Sequence, residues 1–142
     1  MPILKYTTKV EAAKTAMEIQ KCLADHGANA ILNEYDDEGY IIALSFTMKI
    51  NDRDISFRLP SDWRPVLEVL KQDPKVPERC CTQEQALRVA WRIIKTWVEA
   101  QMAFIETRMV RMEQVFLPYV VMPDGGTLSD KILKDPRFLL KN

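Results

Sequence analysis

The chain is poor in the residue types that most often carry chemistry: one histidine, four glycines and three cysteines in 142 residues. A single histidine, His26, removes most zinc sites and most nucleophile–histidine arrangements. Near a helix end it reads as a cation on the helix dipole rather than as a catalyst. The cysteines, Cys22, Cys80 and Cys81, are odd in number and two are adjacent. That pattern fits neither an extracellular disulfide framework nor the two-residue spacing of a metal or redox motif, so a reducing, intracellular setting is expected. Glycine is too scarce for a phosphate loop, and neither G-x-x-x-x-G-K-[ST] nor G-x-G-x-x-G occurs. Charge of neither sign is in excess, with Lys plus Arg and Asp plus Glu at 20 each. There is no global basic field, and an anionic partner would have to meet a local patch. No apolar run reaches the roughly 18 residues of a membrane span, and MPILKYTTKV lacks a signal-peptide core. The expectation is a cytoplasmic protein with no membrane partner.

What the chain does have is one long helical pattern, residues 83–116, with no Gly or Pro before Pro118. Thr82 followed by Gln85 reads as a capping box at its start. Glu84, Arg88, Arg92, Lys95, Glu99, Glu106 and Glu113 fall on one stripe, expected to face water. Ala90, Ile94, Trp97, Phe104 and Met112 fall opposite, flanked by Leu87, Trp91, Val98, Ile105, Met109 and Phe116. This apolar arc is wider than one packing seam needs, as in a helix central to its domain or shared with a second chain. Gln101, Arg108 and Arg111 interrupt it. The ordinary reading is a hydrogen-bonded core glutamine and arginines that snorkel outward. The sharper one is that Arg108 and Arg111 line a groove or a symmetric interface, to which Gln101 and, from the tail, Phe138 and Leu139 belong.

Upstream, residues 3–7 read as a short strand, and Thr7 or Thr8 as the cap of a helix running to about Asp25 and stopped by Gly27. Residues 29–35, 39–50 and 53–59 read as an antiparallel meander with turns at 36–39 and at Asn51-Asp52. Tyr40, Ile42, Leu44, Phe46, Met48 and Ile50 alternate toward the helices, as do Ile55, Phe57 and Leu59. Ser61-Asp62 caps a helix ending near Gln72, and residues 73–82 form a connector. In the tail, 117–142, LPYVVMP can add an edge strand, residues 128–133 a short helix, and Phe138 to Leu140 dock on the domain or a neighbour. The prediction is one α+β domain over residues 1–142, ordered β-α-β-β-β-α-α, with one face of an antiparallel sheet covered by helices. A chain this long buries roughly 68% of its unfolded surface and needs no disulfide or metal to fold.

Glu34, Asp36, Asp37 and Glu38 concentrate carboxylates at one hairpin, but the spacing is not that of a calcium loop, and a solvated turn is the ordinary reading. No metal ligand, cofactor or catalytic residue is assigned, and the chain is read as non-enzymatic. The more suggestive group is basic and aromatic. Lys5, Lys49, Arg58 and Arg64 on the uncovered sheet face and its rim would contact phosphates, with Tyr35 and Trp63 stacking bases. An uncovered antiparallel face of small polar residues is also ordinary. Trp91 and Trp97, although beside Arg92 and Lys95, are read as core.

The stretches FRLP at 57–60 and AWRIIKTWVEAQMAFIETRMV at 90–110, with the opening KYTTKV and the phrase ALSF, resemble a family of small uncharacterised proteins encoded by bacteriophages and prophages. The resemblance spans roughly residues 5–120. It implies a host-cell cytoplasmic setting, and a role in DNA replication or recombination or in binding a host component; it carries over no catalytic residue. The leading expectation is an accessory protein that binds single-stranded nucleic acid. The alternative is a protein-binding module, a homodimer or an inhibitor of a host protein, built on the long helix and apolar tail. A metal-dependent nuclease using the carboxylate hairpin is a weaker alternative.

Overall fold

Three apolar-alternating segments pair as the meander that their spacing predicts: β1 (Ala30–Tyr35), β2 (Ile41–Ile50) and β3 (Arg53–Pro60), in the order β1-β2-β3. This is a computed structural model, and it describes residues 6–135 and 137. Asn51 and Asp52 both take positive φ, 52° and 66°, the backbone of a two-residue hairpin turn whose twist matches its strands. At the other turn the Asp36 carboxylate accepts the backbone N–H groups of Glu38 and Tyr40, each at 2.9 Å. One carboxylate of the acidic hairpin therefore closes its own turn.

The alternation expected along β2 is corrected at its first residues. Glu34 faces Ala43 while Tyr35 faces Ile41, so Ile42 is an extra residue in a bulge. An extra residue reverses which side chains face the core. Ile41, not Ile42, joins Leu44 and Phe46 in the core.

Helices α1 (Ala12–Asp25) and α3 (Gln83–Glu106) cover this face, and α2 (Trp63–Gln72) packs against α3. Helix α1 starts later than Thr7 or Thr8, because the Thr8 hydroxyl accepts the nearby Val10 N–H instead. It buries Ala12, Ala16, Ile19 and Leu23, one stripe of a 3.6-residue period. Asp62 and Thr82 cap α2 and α3 by accepting the N–H groups of Arg64 and Gln85. The Gln85 side chain does not return to the cap; its amide donates to the carbonyls of Tyr6 and Thr8 at 2.9 and 2.8 Å. Tyr6 and Thr7 form a turn. The first expected strand thus has no counterpart among the described residues, its first part, residues 3–5, lying outside them.

The long helix is the largest correction: it ends at Glu106, ten residues before the expected 116. Arg108 turns the chain with φ 65°, and a separate single turn, α4 (Met112–Val115), follows. A continuing helix would rise about 1.5 Å per residue away from the sheet. The break instead returns Met112 and Phe116 to the core, where Phe116 is fully buried. Beyond a 3-10 turn at Leu117–Tyr119, Val120 bridges Phe57 and the Val121 N–H donates to the Ser56 carbonyl at 2.8 Å, lining the edge of β3. Helix α5 (Leu128–Lys134) follows, with a reciprocal Thr127–Asp130 cap.

Among the described residues two buried hydroxyls, those of Thr15 and Ser61, lack a hydrogen-bond partner. Thr15 of α1 is wholly buried and its hydroxyl has no hydrogen-bond partner. Thr15→Val keeps the shape and removes the stranded group, so a gain of about 1 kcal/mol is expected. Urea denaturation of the two proteins would show it, and a loss of stability would mean that the hydroxyl is satisfied after all.

Candidate functional site

Two surfaces are candidates for a site. The first is the uncovered sheet face, where Leu32, Ser45 and Arg58 lie side by side across the strands. Thr47 and Ser56 share a hydroxyl–hydroxyl bond of 2.7 Å. These residues and Glu34 floor a trough of about 590 Å³ walled on one side by Val121 and Gly125. Arg58 grips Glu34 with two parallel bonds, Nε to Oε1 at 3.0 Å and Nη2 to Oε2 at 2.9 Å. Arg58's hydrogen bonding holds the Glu34 carboxyl below its usual range, and Glu34 in turn raises the guanidinium. A phosphate at Arg58 would compete with an intramolecular carboxylate in the strongest geometry a guanidinium adopts.

The other residues expected to touch nucleic acid are dispersed. Lys5 lies outside the described residues. Tyr35 is exposed but sits on the helix side, in a cleft of about 370 Å³ with Glu11, Tyr40 and Arg88. Lys49 is eight positions along β2 from Tyr35's partner Ile41, roughly 26 Å at strand rise. Trp63 is half-buried against the core. Its neighbour Arg64 is exposed, with its guanidinium carbon 6.0 Å from the Trp63 ring centre. The structure brings Trp63 and Arg64 together and keeps Tyr35 and Lys49 apart.

The second surface is on α3, whose charged stripe was expected to face water and instead faces α1. Arg88 meets Glu11 at 3.0 Å, Arg92 and Lys95 meet Glu18 at 3.1 and 3.0 Å, and Glu106 meets His26 at 2.9 Å. Hydrogen bonds from Lys95 and Arg92 hold the Glu18 carboxyl below its usual range. His26 lies between two acceptors: Nδ1 is 2.8 Å from the Cys22 carbonyl and Nε2 is 2.9 Å from Glu106. Both nitrogens can donate only as imidazolium, so the Cys22 carbonyl and Glu106 raise the pKa above the ordinary 6.5. A raised folded-state pKa gives stability that is complete below the unfolded value and is lost as pH rises through the folded one. Unfolding free energy should therefore fall on going from about pH 6 to pH 8. The decline should shrink in Glu106→Gln, and an unchanged slope in that variant would remove Glu106 from the account.

The remaining side of α3 is covered over half its length. Ala86 and Val89 are fully buried on it, Ala86 packing with Leu70 of α2. Helical spacing carries that side on through Ile93, Thr96, Trp97, Ala100, Ala103 and Phe104, where α2 has ended. Ile93 is 42% and Phe104 40% exposed, and Thr96, Ala100 and Ala103 are exposed between them. Trp97 stands edge-on to Phe116 and Tyr119, with ring centres 5.4 and 5.7 Å away. It forms with Leu59, Pro60, Ile93, Ile94 and Tyr119 a groove of about 230 Å³.

Of the residues expected at an interface, Gln101 is half-buried on α3, and Arg108 and Arg111 are exposed in the loop beyond it. Arg111 pairs with Glu113 at 2.9 Å. Phe138 and Leu139 lie outside the described residues. Ile93 and Ala100 were not singled out by the sequence reading, although their heptad spacing from Ala86 was a signal for them.

Among the described residues, no group of three or more His, Cys, Asp or Glu side chains is placed to hold a metal ion. No helix among them is long and apolar enough to cross a membrane. No protein-family model, curated protein or solved structure matches the chain.

Proposed function

We propose that this chain is a non-enzymatic protein-interaction module in which the bare side of α3 and its adjoining groove receive an apolar segment of a partner. One observation carries the reading. The side of α3 that α2 covers at Ala86 and Val89 continues from Ile93 to Phe104 without an ionisable side chain, and among the described residues Ile93, Thr96, Ala100, Ala103 and Phe104 on it are exposed. Contiguous exposed apolar surface of this kind marks interaction sites, and a groove beside a helix suits an amphipathic helix laid into it. The resemblance to phage-encoded proteins makes a host or phage protein of the host cytoplasm the natural partner. The test is selection from a displayed library of helical peptides, followed by chemical-shift mapping. Selected peptides should carry apolar anchors at i, i+4 and i+7 and shift the signals of Ile93, Trp97, Ala100 and Phe104. Shifts confined to other surfaces would refute the assignment.

A second reading, binding of single-stranded nucleic acid, is favoured by the Trp63–Arg64 pair at the surface and by the hydroxyl-lined sheet face. On that reading Arg58 must release Glu34 to meet a phosphate, so Glu34→Gln should strengthen oligonucleotide binding severalfold in a fluorescence-anisotropy titration. Affinity should fall steeply with added salt. Absence of binding at low salt in both proteins would end this reading.

A further inference from the structure

Resting on the interaction-module reading, we propose that the partner seated on α3 is a second copy of this chain, packed α3 against α3 and antiparallel, about a two-fold axis level with Trp97 and Ala100. In that arrangement residue i meets residue 197 − i. Ile93 then faces the second copy's Phe104, Trp97 faces its Ala100, and both contacts recur on the other side of the axis. At the centre the largest side chain of the strip meets the smallest, Trp97 against Ala100, and at each end Ile93 packs on Phe104. A parallel pair would set Trp97 on Trp97 and leave Ala100 opposite Ala100, a clash beside a void.

The strip also continues a helix–helix seam within the chain. The α2–α3 seam at Ala86 and Val89 runs without change of side into Ile93 and Ala100, so a second copy extends an existing seam by two heptads. Electrostatics allows the approach. Arg88, Arg92, Lys95 and Glu106 are engaged by Glu11, Glu18 and His26 on the α1 side, and none of Ile93, Thr96, Trp97, Ala100, Ala103 and Phe104 carries a charge. The strip from Ile93 to Phe104 is roughly 16 Å long at helical rise. This is at the small end for a specific interface, so the dimer is one that dissociates in the micromolar range.

Light scattering across concentrations of about 5 to 500 µM is expected to move the mass from 16.5 kDa toward twice that value. Ala100 is exposed, so A100E keeps its carboxylate in water in the free protein. It should melt like the parent yet dimerise at least about tenfold more weakly, because the dimer would bury an unpaired charge. Register is read with I93E and F104K. Each alone should be mostly monomeric, and mixing them should restore dimer, because the antiparallel pairing brings the introduced charges of opposite sign together. A monomeric mass at every concentration, an A100E protein that dimerises like the parent, or failure of the mixture to associate overturns the proposal. A monomer that still binds selected helical peptides at Trp97 would sink the second copy and leave the interaction module standing; a monomer that binds none sinks both.

Discussion

Replacing Phe116 by alanine is expected to lower unfolding free energy by about 3–5 kcal/mol, a large share of what a domain of this size has to lose. The ring is fully buried and stands among three others: edge-on to Phe46 at 5.2 Å, tilted to Phe57 at 6.1 Å and edge-on to Trp97 at 5.4 Å. Its neighbours come from β2, β3 and α3, whose backbones are fixed by ladder and helix bonds. The vacated space can therefore collapse little, and the cost should lie in the upper part of the large-to-small range. Equilibrium urea denaturation gives the number. A loss below about 1.5 kcal/mol would mean that the segment after α3 can repack. Trp97 leans on the same ring, so its near-ultraviolet dichroism should weaken in the variant even where the fold survives.

That expectation also explains why the long helix could not be bounded from sequence. Thr107 and Arg108 offer no Gly or Pro, and a left-handed non-glycine residue is disfavoured by roughly 1–2 kcal/mol. Burying Met112 and Phe116 outweighs it, but that gain depends on a sheet more than 40 residues upstream. Local signals, by contrast, were legible. Asn51-Asp52 with alternating flanks gave the hairpin, Asp62 and Thr82 gave helix starts, and the helix near Leu128 followed from its turn and periodicity. The α+β class followed from the same patterns.

The candidate surfaces were less legible because they depend on which faces become neighbours. The charged stripe of α3 reads as solvated in isolation, and only the position of α1 turns it into a ladder with Glu11, Glu18 and His26. Arg58 looked free for phosphate because Glu34 had been grouped with the acidic turn. Strand register, which one bulge can shift, is what puts the two on one face within bonding distance. The bare strip was partly visible, since the apolar arc was too wide for one seam; which half α2 would cover was not.

The bulge supplies the second large effect. At this end of β2, strand β3 has finished at Pro60, opposite Ala43, and the carbonyls of Ile41 and Ile42 lie beyond its ladder. The Ser61 N–H takes Ile42 at 2.8 Å, and the indole N–H of Trp91 takes Ile41 at 3.1 Å. Trp91 is fully buried, so its ring fills the core while its nitrogen donates to a carbonyl at the bulge. Trp91→Phe keeps most of the apolar volume but removes that hydrogen bond and leaves a small void. A loss of about 2–4 kcal/mol is expected. Trp97→Phe is the control, because Trp97 is half-buried and faces the groove; it should lose less than half as much. Chemical denaturation of both variants, with amide exchange read along residues 41–44, separates the two roles of Trp91. Stability lost together with faster exchange at the bulge assigns the hydrogen bond, whereas equal losses in the two variants would mean that Trp91 acts by volume alone.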